Sequence, residues 1–222
     1  IYNGTRVLNI ENVEIPKGES FGLVGNNGAG KTTFFSLLLD LIQPSTGSIS
    51  SNGIEIHTSE KWKTFTAAFL DESFLIGYLT PDEYFQFIGE LRGFNKTEIS
   101  EFVKPFQVFF NDEILGGKKY IRDLSKGNQK KVGIAAAFIG NPEVVILDEP
   151  FANLDPTTQI RLKNLLKEIK KKKKITMLIS SHDLQHTIEV SNRIVALEKG
   201  QIVKDLITDE NTMAELETLF SI

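Results

Sequence analysis

The 222-residue sequence contains no cysteine. That excludes disulfides and thiolate metal sites; it leaves the compartment open, though compatible with the cytosol. A long hydrophobic run is also missing. "VGIAAAFIG" and "VVIL" are the longest apolar candidates, far short of the roughly 18 residues that a spanning helix needs. The chain itself is not expected to cross a membrane, and no signal peptide is visible. Its start at Ile1 rather than Met points to a trimmed N-terminus. There is no basic excess either: 25 Lys and Arg stand against 29 Asp and Glu, a net charge of −4. Nucleic acid is therefore not expected as the main partner. Internal repeats and low-complexity linkers are absent. What remains is an ordinary globular composition, long enough to bury the core of one domain or of one domain with a lobe.

Hydrophobic periodicity divides the chain into alternating elements. "VLNIENVEIPKGESFGLVG" predicts two strands joined by the turn at Pro16, Lys17 and Gly18. "KTTFFSLLLDLI" carries helical apolar spacing. Asn52-Gly53, set between short alternating runs, signals a hairpin, and "FTAAFL" a buried strand. From residue 73 to about 121 the texture becomes helical and rich in Phe, with Thr80, Pro81 and Glu83 able to cap the first helix. We read this stretch as a helical lobe inserted between core segments of about 1–72 and 122–222, its phenylalanines serving as packing. "EVVILDEP", a helix from Pro156 to about Lys171, "ITMLISSH", a short helix, "RIVALEKG", "QIVKDL" and a terminal helix follow. The alternation predicts an α/β fold, a mainly parallel sheet with helices on both faces. The lysine run 170–174 reads as a solvated helix C-terminus, where cations complement the dipole.

Three segments carry chemistry. Residues 25–33, Gly25, Asn26, Asn27, Gly28, Ala29, Gly30, Lys31, Thr32 and Thr33, fit the phosphate-cradling pattern G-x-x-x-x-G-K-[ST] between a strand and a helix. Glycines let the backbone wrap phosphates, Lys31 reaches the terminal ones and Thr32 offers a hydroxyl to Mg²⁺. Asp148, ending the apolar strand "VVIL", is the expected Mg²⁺ partner, and Glu149 follows it at once. Two adjacent carboxylates there need positive company, so Glu149 is the candidate to orient and polarise an attacking water. His182 lies just past another apolar strand, at the same ligand-binding edge. His182 and His186 stand four apart, yet Asp183 and a strand-end location speak against zinc. A further turn, "LSKGNQKKVG" at 124–133, also suits an anion at a helix start, which raises the question of why one domain would hold two phosphate sites.

The order of Gly25–Thr33, "LSKG" at 124–127, "VVILDEP" at 144–150, "NLDP" at 153–156 and "SSH" at 180–182 resembles the nucleotide-binding subunit of an ATP-binding cassette (ABC) transporter. The resemblance runs from Tyr2 through essentially the whole chain. It implies a P-loop NTPase core with an antiparallel β subdomain and the helical lobe. It implies ATP and Mg²⁺ as ligands, and a second ABC ATPase subunit paired head to tail. Ser125, Lys126, Gly127 and Asn128 would then close on the partner's nucleotide, so the second cradle serves the other subunit. Tyr2 would stack on adenine, and Asp155 would link the two sites across the dimer. Separate membrane-spanning permease subunits would be moved, with this chain peripheral at the cytoplasmic face.

Two departures from the family pattern stand out. Lys126 and Asn128 replace the first glycine and the glutamine of the usual L-S-G-G-Q; a lysine at 126 is similar to some export-type members, which favours export. Glu72, in "FLDESF", stands where the family usually has a glutamine sensing Mg²⁺ and water. A glutamate accepts but cannot donate. A one-residue slip would move that assignment to Asp71. A soluble, non-transport ABC ATPase, of the iron–sulfur cluster assembly type for example, is the alternative reading.

Overall fold

The computed structural model describes residues 6–172 and 174–220. A six-stranded sheet runs in the order β4-β5-β6-β1-β7-β8. Its strands are β1 (Ser20–Val24), β4 (Thr66–Phe69), β5 (Val144–Leu147), β6 (Thr176–Ser181), β7 (Arg193–Glu198) and β8 (Gln201–Ile207). All neighbours pair in parallel except β7 and β8. The fold class read from the sequence is the one found, with a small antiparallel hairpin, β2 (Ser50–Ser51) and β3 (Ile54–Glu55), beside the main sheet. Asn52 and Gly53 take the positive φ angles, 49° and 75°, that this tight hairpin turn requires.

Strand alternation sorts side chains between two layers. Val145, Leu147, Met177 and Ile179 face one side, with α5 (Lys126–Ala136), α6 (Pro156–Lys172) and the helical segment. Ile146, Leu178, Phe21 and Leu23 face the other, against Phe34 and Phe35 of α1 (Lys31–Leu38). Near-continuous apolar strands are what burial on both faces demands. A smaller cluster forms where α7 (Leu184–Val190) and α8 (Thr212–Phe220) cover β7 and β8.

The Phe-rich segment forms α2 (Pro81–Leu91), α3 (Lys96–Val103) and α4 (Gln107–Phe110). The Thr80 hydroxyl accepts from the Glu83 amide, and the Glu83 carboxylate accepts from the Thr80 amide, a complete capping box. Pro105 sits in a single-turn helix, 104–106, separating α3 from α4. Phe85 and Phe106 stack on Phe110, Phe109 packs on it at a tilt, and all four join the cluster that contains Val145 and Leu162. Their role is packing.

The first of the two expected N-terminal strands does not form. Leu8, Ile10, Val13 and Ile15 do pack onto the core near Phe34, but residues 6–19 make no ladder. Backbone bonds tie its two ends to the sheet, Asn9 N–H to the Gly200 carbonyl at 2.7 Å and Met177 N–H to the Glu19 carbonyl at 2.9 Å. Alternation there reports burial without strand pairing.

Candidate functional site

The parallel register brings the C-terminal ends of β1, β5 and β6 level. Leu147 pairs with Ile179, and Val24 with Ser181. The residues that follow, Gly25, Asp148 and His182, therefore emerge at one edge, where open α/β sheets hold ligands. Gly25, Gly28 and Gly30 adopt φ of 156°, 81° and 111°. At Gly25 a Cβ would also lie 2.3 Å from the Leu197 carbonyl, so the turn tolerates no side chain. Gly30 caps α1, and the amides that begin this helix point towards the cradle with its positive end.

Lys31 is buried at 7 % exposure, and its ammonium donates to the Gly25 carbonyl at 2.7 Å and to the Asn26 carbonyl at 3.4 Å. It also lies 3.4 Å from Glu149 Oε1. Asn26, Asn27 and Gly28 are exposed, while Ala29 and Gly30 are buried and Thr33 is half-buried. The Thr32 hydroxyl donates to Asp148 Oδ2 at 2.7 Å. Asp148, 5 % exposed, accepts a second bond at Oδ1 from the Ser180 hydroxyl. Burial pushes the Asp148 carboxyl above the ordinary carboxylate range, and the Ser180 and Thr32 bonds oppose that rise.

This pair fits Mg²⁺. The ion favours one or two protein oxygens supplemented by water and phosphate oxygens, and Thr32 and Asp148 present two oxygens at one point. Among the described residues no cluster of three His, Asp or Glu side chains forms an all-protein metal cage. Glu72 is not joined to the pair. Its carboxylate instead lies 3.6 Å from the ammonium of Lys130, a buried side chain against one of low exposure. A carboxylate of low exposure is drawn to the nearest buried cation, so in this arrangement Glu72 meets Lys130 rather than the Thr32–Asp148 pair. Asp71, the alternative, is exposed and caps the turn 72–74 through the Ser73 amide.

Glu149 is gripped on every side. Its φ of 46° is unusual for a non-glycine residue. Its amide donates to Ser180 Oγ at 2.9 Å, and its carbonyl accepts from Lys130 Nζ at 2.9 Å. The carboxylate accepts from the His182 amide at 3.3 Å and meets His182 Nδ1 at 2.8 Å. His186 turns elsewhere, its Nε2 meeting Gln159 Oε1 at 3.1 Å. Sequence reading missed Ser180 and Lys130. Ser180 was within the quoted "SSH", but only a strand brought alongside β5 shows what its hydroxyl does.

Ser125 caps α5 by accepting from the Asn128 amide at 3.2 Å. Ser125 and Lys126 are exposed, and Gly127 and Asn128 half-buried. A Cβ at Gly127 would stand 3.4 Å from the Asn153 carbonyl, tight but not excluded, so the signature turn adjoins 153–156 of its own chain. Asp155 is exposed; bonds from the Thr158 side chain and then from the Thr158 amide hold its carboxyl below the ordinary range. The structure leaves Ser125, Lys126, Asn153 and Asp155 exposed. Tyr2 lies outside the described residues.

Known proteins agree with this arrangement. A model of the ABC transporter family matches residues 8–152. An uncharacterized ABC transporter ATP-binding protein of Methanocaldococcus jannaschii is 35 % identical over 204 residues, 91 % of this chain and 72 % of that protein. The methionine import ATP-binding protein MetN of Carboxydothermus hydrogenoformans is 31 % identical over 227 residues, 94 % of this chain and 64 % of that protein. A solved ATP-binding subunit of an ABC transporter is 27 % identical with a TM-score of 0.84, covering 100 % of this chain and 91 % of that one. The phosphate cradle, the Thr32–Asp148 pair and the adjoining Glu149 thus lie on a matching fold, and the chain belongs to the ABC transporter family as an ATP-binding cassette, an ATPase.

Proposed function

We propose that this chain hydrolyses Mg-ATP at sites shared between two cassettes, and that closure and reopening of the pair drive membrane-spanning subunits. The observation that carries the reading is the Glu149 carboxylate held between Lys31 and His182. Residues 25–33 bind the phosphates, and Lys31 exchanges carbonyl and carboxylate partners for phosphate oxygens. Thr32 and Asp148 hold Mg²⁺, which supplies neutralising charge for the developing phosphate oxyanions. Glu149 accepts a proton from the attacking water and aims it in line with the γ-phosphate. His182 holds the Glu149 carboxylate in that attitude. Tyr2 stacks on adenine, and Asp155 conveys closure between the two sites.

Ser125, Lys126, Gly127 and Asn128 act on the partner's nucleotide, a role supported by the exposure of Ser125 and Lys126 at the start of α5. Among the described residues no helix is long and apolar enough to cross a membrane. That agrees with a peripheral place at the cytoplasmic face, on permease subunits encoded elsewhere. Lys126 supports export, although the likeness extends to an import protein. Transporter names among the relatives do not favour the soluble, non-transport alternative.

The test of the shared site is complementation. Ser125→Arg should block hydrolysis while sparing ATP binding, and Lys31→Ala should abolish binding. Mixed, the two inactive proteins should release phosphate above the sum of their separate rates. One mixed site then joins an intact cradle to an intact signature. Mixed dimers without any recovery would overturn the head-to-tail arrangement.

A further inference from the structure

Lys130 lies on α5, the helix that begins at the signature turn, and is only 5 % exposed. Its ammonium bonds the Glu149 carbonyl at 2.9 Å and faces Glu72 Oε1 at 3.6 Å. Nothing in the hydrolytic reading above uses it. Yet a buried ammonium needs compensation, and here its two oxygen partners come from functionally separate places. One is the backbone of the residue read as the base. The other is the side chain that departs from the family's glutamine, on the turn 72–74 that leads into the helical segment.

We propose that Lys130 is the positioning residue for Glu149, with Glu72 as its counterion. Glu149 sits in the left-handed region, a strained backbone that persists only when its surroundings hold it. Ser180 fixes the amide side of the residue and Lys130 the carbonyl side. Turning either peptide would swing the carboxylate away from His182. Glu72 Oε1 is buried and has no hydrogen-bond donor among the described residues. The Lys130 contact is wider than the about 2.8 Å of a charge-assisted bond. A small advance of the turn 72–74 would close it and draw the ammonium off the Glu149 carbonyl. A glutamine at 72 would carry no charge to balance Lys130. The glutamate and the lysine thus form a matched pair, and they tie the setting of the base to the position of the turn.

This inference rests on Glu149 as the base, and the experiment separates the two. ATP hydrolysis and equilibrium ATP binding are measured for Lys130→Met, Lys130→Arg, Glu72→Gln, Glu149→Gln and the Glu72→Gln/Lys130→Met double variant. Lys130→Met should lower kcat about ten- to a hundredfold, the loss of one buried bond from a charged donor. ATP affinity should stay within about threefold. Lys130→Arg should recover most of the rate, because it keeps the charge and donor. Glu72→Gln should slow the wild type but not slow Lys130→Met further, since the two act through one contact. A wild-type kcat in Lys130→Met, or multiplicative losses in the double variant, would overturn the proposal. If Lys130→Met does not fold, a wild-type rate in Glu72→Gln overturns the counterion role, and a slowed one with intact binding supports it. Glu149→Gln at the wild-type rate would instead remove the base reading itself.

Discussion

Replacing Ser180 by alanine tests the site at its hidden joint. The side chain is fully buried, and its hydroxyl does two jobs: it donates to Asp148 Oδ1 and accepts the Glu149 amide at 2.9 Å. Alanine fills nearly the same space but leaves a buried carboxylate oxygen and a buried N–H without these partners. Each orphan costs about 1–3 kcal/mol, so the pair should cost about 2–6 kcal/mol. Against a total stability of about 5–15 kcal/mol this is a large fraction. For a chain of this size it lowers Tm by about 4–24 °C. The lost Ser180 bond had also held the Asp148 carboxyl down, so its pKa should climb further and Mg²⁺ should be held more weakly. Ser181→Ala provides the comparison. Its hydroxyl accepts the nearby Asp183 amide at 2.9 Å, and its loss should cost about 1 kcal/mol. Thermal unfolding in EDTA reads the first effect, and Mg²⁺-dependence of ATP hydrolysis the second. A Ser180→Ala protein that melts within about 1 °C of wild type, with an unshifted Mg²⁺ curve, would refute the reasoning.

Glu149→Gln should keep ATP binding and lose about 10²–10⁴-fold in hydrolysis, with a longer-lived dimer in Mg-ATP by size exclusion. Phe110→Ala removes a ring that is 1 % exposed and packed on Phe85 and Phe106; urea unfolding should show a loss of about 3–5 kcal/mol. Arg193 grips Asp205 through two bonds of 2.6 Å, and that holds the Asp205 carboxyl below its ordinary range. A depressed carboxyl contributes stability above its unfolded pKa, and the contribution is lost as pH falls through the folded value. Asp205→Asn should therefore destabilise by about 1 kcal/mol near pH 7, discounted for the exposure of Asp205. The gap should close in acid melts as pH falls below the ordinary carboxylate range and through the depressed folded pKa.

The site was legible in sequence where the chemistry is local. A phosphate loop needs its glycines and lysine in one continuous turn, so Gly25–Thr33 announces itself. Asp148, Glu149 and His182 were legible because each follows an apolar strand, and parallel strands end together. Lys130 and Ser180 were not, since their partners lie 19 to 58 positions away and become neighbours only when helix, turn and strands assemble. Glu72 was read by its position in the family pattern, which is blind to a lysine on α5. The first strand failed for a related reason: period-two burial of Leu8, Ile10, Val13 and Ile15 is also what a loop laid along a core produces. Pro105 was visible, but the stop it puts after α3 was not drawn from it.

The aromatic cluster of the helical segment has a consequence for folding cooperativity. Phe106, Phe109 and Phe110 belong to the same apolar cluster as Val145, Met177 and Leu166. Excising the segment would leave strand β5 and helix α6 with a bare apolar wall. Local opening of α2 to α4 must expose that wall too, so their amides should exchange with solvent nearly as slowly as those of the central strands. The lobe is then no separate foldon, and whatever shifts it must carry the floor of the sheet along or slide over it as a packed whole.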